Sequence, residues 1–363
     1  MRVLILSAST GGGHNSTAEA LADQFAKMNV STETVDVLAF ISEKAAEIIS
    51  RGHTYLYRNM PKLFGFAYRL DEQMSPKFIY DYVVKGAPAL QEKLLSEQFD
   101  AVVCTHVFSG MVISEVRKRY GNNIPAFFVA TDYTATPGVA DIDVDSYFVP
   151  HRMLFGEFIR SQTPADKLFA TGIPVRGAFY GTEDKAEARR LLGLPADARI
   201  LLLGCGRMGC GNLDRQALKL CEALPDYAHL VVLCGNNERF YEKLSPHASD
   251  RMTVVGFSKQ VPLYMTASDL YLTKPGGLST SEAIVKRLPM VLINAVPGCE
   301  TRNFDFLTQC GVAMGAKSWK EAISFSMAAL ADDEKIAPQR EAMKEFQPIV
   351  AAEQICRYVV EKS

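Results

Sequence analysis

The sequence is poor in the features that mark several classes of protein. Nowhere in its 363 residues does an uninterrupted apolar run reach the roughly 18–20 residues that a membrane-spanning helix requires. Met1-Arg2 leads directly into a short strand-like segment, without the basic, apolar and small-residue regions of a cleavable signal. The expectation is a cytoplasmic protein. Net charge is only −2, so bulk electrostatics do not argue for nucleic acid, and any basic patch must be local. The eight cysteines are scattered, and the closest pair, Cys205 and Cys210, has no His or Cys partners at zinc spacing. Cys104, Cys234 and Cys356 fall in apolar segments, where a reduced thiol behaves as a small hydrophobe. No metal site is visible and no cofactor is expected.

What the chain does have is the balance of a globular protein, with 48% apolar and 22% charged residues. Its length suggests two domains at about 150 residues each. Val3–Leu6 is a short continuous apolar run, the pattern of a strand buried on both faces of a parallel sheet. It enters Ser7-Ala8-Ser9-Thr10-Gly11-Gly12-Gly13-His14. A helix follows with Ala18, Leu21, Ala22 and Phe25 on one face. Further strands are expected at Thr34–Leu38, Ala101–Cys104 and Ala126–Ala130, with a mostly helical stretch over about 40–98 and a helix from near Ser109. Ser146–Pro150 reads as another strand, and Thr171–Pro174 as the approach to an interdomain connection. The pattern then restarts. Ile200–Leu203 runs into a second glycine loop, Gly204–Gly211, and strands are expected at Leu230–Cys234, Met252–Val255, Leu270–Leu272 and Met290–Ile293. A last helix, Lys344–Val360, has no strand after it and is expected to pack back on the first domain. Strands alternating with helices imply an α/β fold of two doubly wound halves. The expected domains are 1–170 with a C-terminal helix at about 344–363, and 171–343.

Two loops carry the chemistry. The first resembles a dinucleotide fingerprint, with Asp36 near the end of the second strand where a ribose-binding acid would sit. The spacing does not fit, because with Gly11 and Gly13 as the first two glycines the third position is Ser16. His14 follows three glycines at a strand-to-helix turn. It is either a base at the mouth of a crevice or a loop residue that tolerates the turn. The second loop, Thr273-Lys274-Pro275-Gly276-Gly277-Leu278-Ser279-Thr280-Ser281-Glu282-Ala283, follows a strand and opens a helix. Gly276 and Gly277 let backbone approach a ligand, while Ser279, Thr280 and the helix N-terminus offer donors to a phosphate. Glu282, one turn inside, is placed for a ribose. A capping arrangement, with Ser279 as N-cap and Glu282 three residues on, explains the Ser and Glu but not the paired glycines.

Taken together, these motifs resemble those of the processive diacylglycerol glucosyltransferases and monogalactosyldiacylglycerol synthases, relatives of the peptidoglycan lipid glycosyltransferase. Ser9–His14 is similar to the family's G-G-G-H loop, and Thr131-Asp132-Tyr133 to its T-D-[FY] segment. Gly256-Phe257, Thr273–Gly277 and Glu282-Ala283 resemble its donor signature, and Pro297-Gly298-Cys299-Glu300-Thr301-Arg302-Asn303 its P-G-Q-E-x-x-N loop. The matches run in order over about residues 1–312.

The resemblance implies a GT-B architecture, two Rossmann-like domains facing across a cleft, and an inverting, metal-independent transfer of a hexose from a UDP-sugar to diacylglycerol or a glycosyl-diacylglycerol. It makes His14 the general base, with Gly12 and Gly13 beside it on the acceptor side and Asp132 orienting a neighbouring group. Glu282 would hold the ribose and Phe257 would lie beside uracil. Glu300 and Asn303 would bind sugar hydroxyls. Gly206, Arg207, Gly209, Gly276 and Gly277 would flank the diphosphate near Lys274, Ser279 and Thr280. Cys299 departs from the family Gln, and a thiol is a poor donor beside an amide.

Between Arg51 and Arg69 aromatic and basic residues interleave: Tyr55, Tyr57, Phe64, Phe66 and Tyr68 with Arg51, Arg58, Lys62 and Arg69. Arg51–Lys93 holds seven basic against four acidic side chains. This suits a patch on an anionic membrane surface, and the resemblance implies peripheral association with the inner face of the cell membrane. The rival is a core helix with solvated cations, interrupted by Pro61 and Gly65. His106 ends a strand on the same side as His14, as part of the acceptor cleft or as a structural histidine. Other readings on the same architecture are a transferase with a polyprenyl-linked or natural-product acceptor, a UDP-sugar 2-epimerase, and a UDP-sugar sensor. The epimerase would want several acids around the sugar, which the sequence does not offer.

Overall fold

The computed structural model describes residues 1–9, 12–41, 77–204, 213–293, 295–346 and 350–363. They divide into two units. The first holds Met1–Gly177, Pro297–Cys299 and the stretch with the C-terminal helix Ala351–Lys362. The second holds Ala178–Val296 and the chain from Glu300 onward as far as that stretch. The boundary expected from the sequence lies between residues 170 and 171.

The first unit is built on a parallel sheet of β1 (Arg2–Ser7), β2 (Ser31–Asp36), β3 (Ala101–Cys104), β4 (Ala126–Val129), β5 (Ser146–Val149) and β6 (Leu168–Ala170). Their spatial order is β2-β1-β3-β4-β5-β6. Val3, Leu4, Ile5 and Leu6 are fully buried, as a continuous apolar run covered on both faces requires. On one face, helices Gly12–Lys27 and Ala351–Lys362 join the core through Ala18, Leu21, Phe25, Ile355, Cys356 and Val359. Each large apolar side chain buried there contributes about 1.5–3 kcal/mol. A hydrogen bond of 2.9 Å between Ser146 Oγ and Tyr358 Oη fixes the C-terminal helix further. Along the helix Val107–Tyr120, Gly110 permits a close approach, since a Cβ there would stand 2.6 Å from the Ile142 side chain.

The second unit repeats the plan with β7 (Arg199–Gly204), β8 (Ala228–Leu233), β9 (Met252–Val255), β10 (Leu270–Thr273), β11 (Met290–Leu292) and β12 (Met314–Gly315). The order is β12-β11-β10-β7-β8-β9, and every pairing is parallel. In each sheet the order reverses once, between β1 and β3 in the first and between β7 and β10 in the second. Loops leaving the strands on either side of a reversal diverge, which opens a crevice at the carboxyl ends. His14 follows β1, Thr105 and His106 follow β3, and the Lys274–Gly277 loop follows β10.

Several expectations are corrected. The second strand is Ser31–Asp36, not Thr34–Leu38. Asp36 ends it by accepting the Leu38 N–H on Oδ1 at 2.9 Å, which turns Val37–Phe40 into a short 3-10 helix. β2 is an edge strand with no fully buried residue, so its polar sequence hid it. The last helix is not one Lys344–Val360 segment: one helix covers Ala337–Phe346 and another Ala351–Lys362. Pro348 falls between them, a residue that disfavours helix through itself and its predecessor. β6 and β12 were not expected. They are edge strands of three and two residues, too short to show a period.

Candidate active site

At the switch point of the first sheet, Gly12, Gly13 and His14 form the opening turn of the helix Gly12–Lys27. The loop before it is held by side chains: Ser7 Oγ donates to Asn15 Oδ1 at 2.6 Å, and Asn15 Nδ2 to Ser9 Oγ at 3.3 Å. Asp36 Oδ2 accepts the Ser9 N–H at 3.0 Å. With Leu38 N–H on its other oxygen, this carboxylate clasps backbone, which is against the dinucleotide reading of Asp36.

His14 Nδ1 lies 3.0 Å from the Thr105 carbonyl and 2.9 Å from Thr131 Oγ1. A carbonyl can only accept, so the contact assigns the ring proton to Nδ1 and the lone pair to Nε2. Thr105 is positioned by its N–H, which donates to the Leu6 carbonyl at 2.9 Å across the β1–β3 switch. Thr131 stands just past the carboxyl end of β4. Three parallel strands thus converge on one imidazole. The His106 ring packs edge to face on that of His14, with centroids 4.4 Å apart. His106 also has a structural role. Its Nδ1 accepts the Phe108 N–H at 3.0 Å, and Ser109 completes a capping box at the start of the helix Val107–Tyr120. Asp132 is half-buried on the same edge. The Cys104 thiol beneath is fully buried, which pushes it up to about 12 and leaves it chemically inert.

In the second unit, the loop after β10 enters the helix Gly277–Val285, whose N-cap is Gly276. Ser279 is therefore the third helical residue and not the N-cap. Thr280 Oγ1 donates to the Gly276 carbonyl at 2.8 Å, and Ser279 Oγ makes a longer bond to it at 3.3 Å. With these hydroxyls turned to the loop's own carbonyl, the donors at the helix start are backbone N–H groups. Gly276 has φ −76, open to any residue, and a Cβ would meet only Ser279 Oγ at 3.4 Å and Glu300 Oε1 at 3.9 Å. What glycine leaves there is room for a ligand against the backbone.

The loop is held from below by the helix Cys299–Gln309. Lys274 Nζ pairs with Glu300 Oε1 at 2.7 Å, both side chains about nine-tenths buried. Glu300 Oε2 accepts the Val296 N–H at 3.0 Å. Asn303, fully buried, donates from Nδ2 to the Pro275 carbonyl at 3.0 Å. Glu282 is buried to 8% exposure one turn into the helix above. Cys299 is the first residue of its helix. Phe257, just past β9, is 63% exposed, and Tyr241 packs beside the neighbouring Gly256, 3.6 Å from where a Cβ would be.

Residues 14–175 match the family described as monogalactosyldiacylglycerol (MGDG) synthase. Processive diacylglycerol beta-glucosyltransferases align along nearly all of the chain. The one from Bacillus pumilus is 27% identical, covering 100% of this chain and 95% of that protein. The one from Bacillus mycoides is 29% identical, covering 94% and 89%. The chain is similar to these glycolipid synthases. Among solved structures, MurG from Acinetobacter baumannii superposes with a TM-score of 0.66 at 14% identity, covering 99% of both chains. UDP-GlcNAc 2-epimerase from Neisseria meningitidis gives 0.65 at 14% identity over 100% of both. At that identity the likeness shows the fold, which is GT-B.

Several expected site residues lie outside the described residues: Gly206, Arg207 and Gly209, and the whole Arg51–Arg69 patch with Tyr55, Tyr57, Arg58, Lys62, Phe64, Phe66 and Tyr68. Two groups at the imidazole were missed. Thr131 stood in a recognised motif but was passed over for its acidic neighbour. The Thr105 carbonyl leaves no side-chain signal, and only the strand order places it. Among the described residues no group of three or more His, Cys, Asp or Glu side chains is placed to hold a metal ion. Nor is any helix among them long and apolar enough to cross a membrane.

Proposed function

We propose that the chain transfers a hexose from a UDP-sugar to the free hydroxyl of diacylglycerol or a glycosyl-diacylglycerol, with inversion and with His14 as general base. The observation that carries the reading is the contact of His14 Nδ1 with the Thr105 carbonyl at 3.0 Å. Nδ1–H is committed to the Thr105 carbonyl, with Thr131 Oγ1 alongside, so Nε2 is the basic nitrogen. It would take the proton of the acceptor hydroxyl as that oxygen attacks the anomeric carbon. The bond from that carbon to the diphosphate breaks with its electron pair leaving on UDP, and the protonated imidazole keeps the Thr105 carbonyl as acceptor. An α-linked donor then gives a β-linked product.

In the second unit, the start of the helix Gly277–Val285 would take the departing diphosphate on its N–H groups, so the reading needs no metal. Glu282 would hold the ribose and Phe257 the base. Lys274, Glu300 and Asn303 would fix the loop that carries Gly276, with Glu300 and Asn303 also facing the sugar. The relatives named as diacylglycerol glucosyltransferases make UDP-glucose the first donor to try. The aromatic and basic Arg51–Arg69 segment would supply the contact with an anionic membrane surface at the cytoplasmic face.

The test is incubation with UDP-glucose, UDP-galactose and UDP-N-acetylglucosamine and diacylglycerol in mixed vesicles. The organic phase is then examined by proton NMR. A β-anomeric glycolipid is the expected product. An α-anomer would overturn inversion. Interconversion of free UDP-sugars with no lipid product would point instead to epimerase chemistry.

A further inference from the structure

A groove of about 630 Å³ lies on the second unit, at the edge where β10 and β11 begin. This is the edge opposite the donor loop. Its walls carry Lys185, Lys286, Arg287 and Arg340 against one carboxylate, Glu183. Two of these cations have partners nearby: Lys185 Nζ is 2.6 Å from Asp269 Oδ1, and Arg340 Nη1 is 3.9 Å from Asp333 Oδ1. For Lys286 burial outweighs the attraction of Glu183 and holds the ammonium below the ordinary lysine value. An anion in the groove would offset that desolvation.

Two further residues of the lining have unusual surroundings. Tyr180 lines the groove, and its Oη is buried with no hydrogen-bond partner among the described residues. Buried hydroxyls are ordinarily satisfied. Arg287 holds its backbone in the left-handed region at φ 51, as the residue that ends the helix Gly277–Val285: its N–H donates to the Ile284 carbonyl at 3.0 Å and that of Leu288 to the Ala283 carbonyl at 2.9 Å.

The groove is also mechanically joined to the donor loop. The helix Gly277–Val285 begins at Gly276 and ends on Lys286 as its C-cap, a span of roughly 13 Å. β10 runs beside it, from Leu270 next to Ser268 of the groove to Thr273 next to Lys274. Both are rigid elements with one end at each site.

We propose that this groove binds a phosphate ester, held by Lys286, Arg287 and Arg340, and that its occupancy is coupled to the donor loop. Guanidinium and ammonium groups are the donor set that suits phosphate oxygens. The binding claim stands apart from the transferase reading, and the coupling rests on it.

The probe is sn-glycerol 3-phosphate, titrated calorimetrically into the full chain with and without saturating UDP. Saturable binding is expected, weakened about tenfold or more by Lys286→Glu or Arg287→Glu. Unchanged melting followed by Trp319 fluorescence confirms that the variants fold. Glu282→Ala should retain glycerol phosphate binding, so failure of the donor reading leaves the groove standing. Coupling requires UDP and glycerol phosphate to shift each other's affinity by the same factor, and no mutual shift overturns it. Sedimentation with phosphatidylglycerol vesicles distinguishes the source of the phosphate. Vesicle binding that depends on Lys286, with no binding of the soluble ester, assigns the ligand to a lipid headgroup. Binding of neither, or binding indifferent to the variants, overturns the proposal.

Discussion

At the scale of the residue, the proposed base His14 is held at Nδ1 by oxygens from two strand ends. A carbonyl fixes the tautomer through Nδ1–H, and Thr131 Oγ1 adds a second oxygen at 2.9 Å. On the proposed mechanism both would stabilise the imidazolium that forms during transfer. A hydrogen bond to a charged group is worth about 1.5–3 kcal/mol, so Thr131→Val should lower kcat by about tenfold or more with KM little changed. Thr131→Ser should recover most of the rate, and a loss shared by both variants would contradict this role. Glu300 carries a different lesson. Its carboxylate is buried against Lys274 and also accepts the Val296 N–H. Removing one partner of a buried ion pair strands the other at a cost of about 3–5 kcal/mol. Glu300→Ala should therefore lower the denaturation midpoint of the second unit, read by Trp319, as well as any donor affinity. A midpoint equal to wild type would contradict the structural role. The strand-to-helix turn that carries His14 was legible in the sequence, from an apolar run ending in three glycines. The clamp on it was not legible, because a main-chain carbonyl has no letter.

At the scale of the element, strands buried on both faces could be read directly. Ala101–Cys104 falls where its apolar run places it, and Leu270–Thr273 ends one residue beyond its expected Leu270–Leu272. Of the four edge strands only β9 (Met252–Val255) was read correctly, because β2 is polar and nowhere fully buried and β6 and β12 are too short for any period. Element ends were decided by side chains bonding to backbone, as with Asp36 closing β2 and His106 opening its helix. One such side chain makes a pH prediction. His229 on β8 donates from Nδ1 to the Asp250 carbonyl at 3.0 Å and meets Thr253 Oγ1 with Nε2 at 2.8 Å, a pattern that a neutral ring satisfies. Burial holds its pKa below the ordinary 6.5, against a smaller opposing effect of the Asp250 carbonyl. The unfolded chain therefore binds the proton more readily, so this stability is complete above about pH 6.5 and is lost as pH falls through the folded value. Urea denaturation of the second unit should shift to lower midpoints between pH 7.5 and 5.5. His229→Gln should flatten that slope, and an equal slope in the variant would assign the effect elsewhere.

At the scale of the whole molecule, two strand-then-glycine-loop beginnings announced two α/β halves, and each half is a six-stranded parallel sheet with one reversal of strand order. That reversal explains why distant motifs meet: the residues after β1, β3 and β4 gather in the first unit, and those after β10 face the helix Cys299–Gln309 in the second. The proposed membrane contact belongs to this scale too. Sedimentation with anionic vesicles should weaken as salt rises, because exposed charge is screened within about 10 Å at 0.1 M salt. Salt-insensitive binding would contradict an electrostatic patch at Arg51–Arg69.

The central claim is that His14 activates the acceptor while the other half of the chain holds the donor. The most direct measurement compares wild type and His14→Ala for glycolipid formation from UDP-glucose and diacylglycerol, with UDP affinity taken on the same samples. The account predicts a rate lower by about 10²-fold or more in the variant and an unchanged UDP affinity. An unchanged rate would remove His14 as the base.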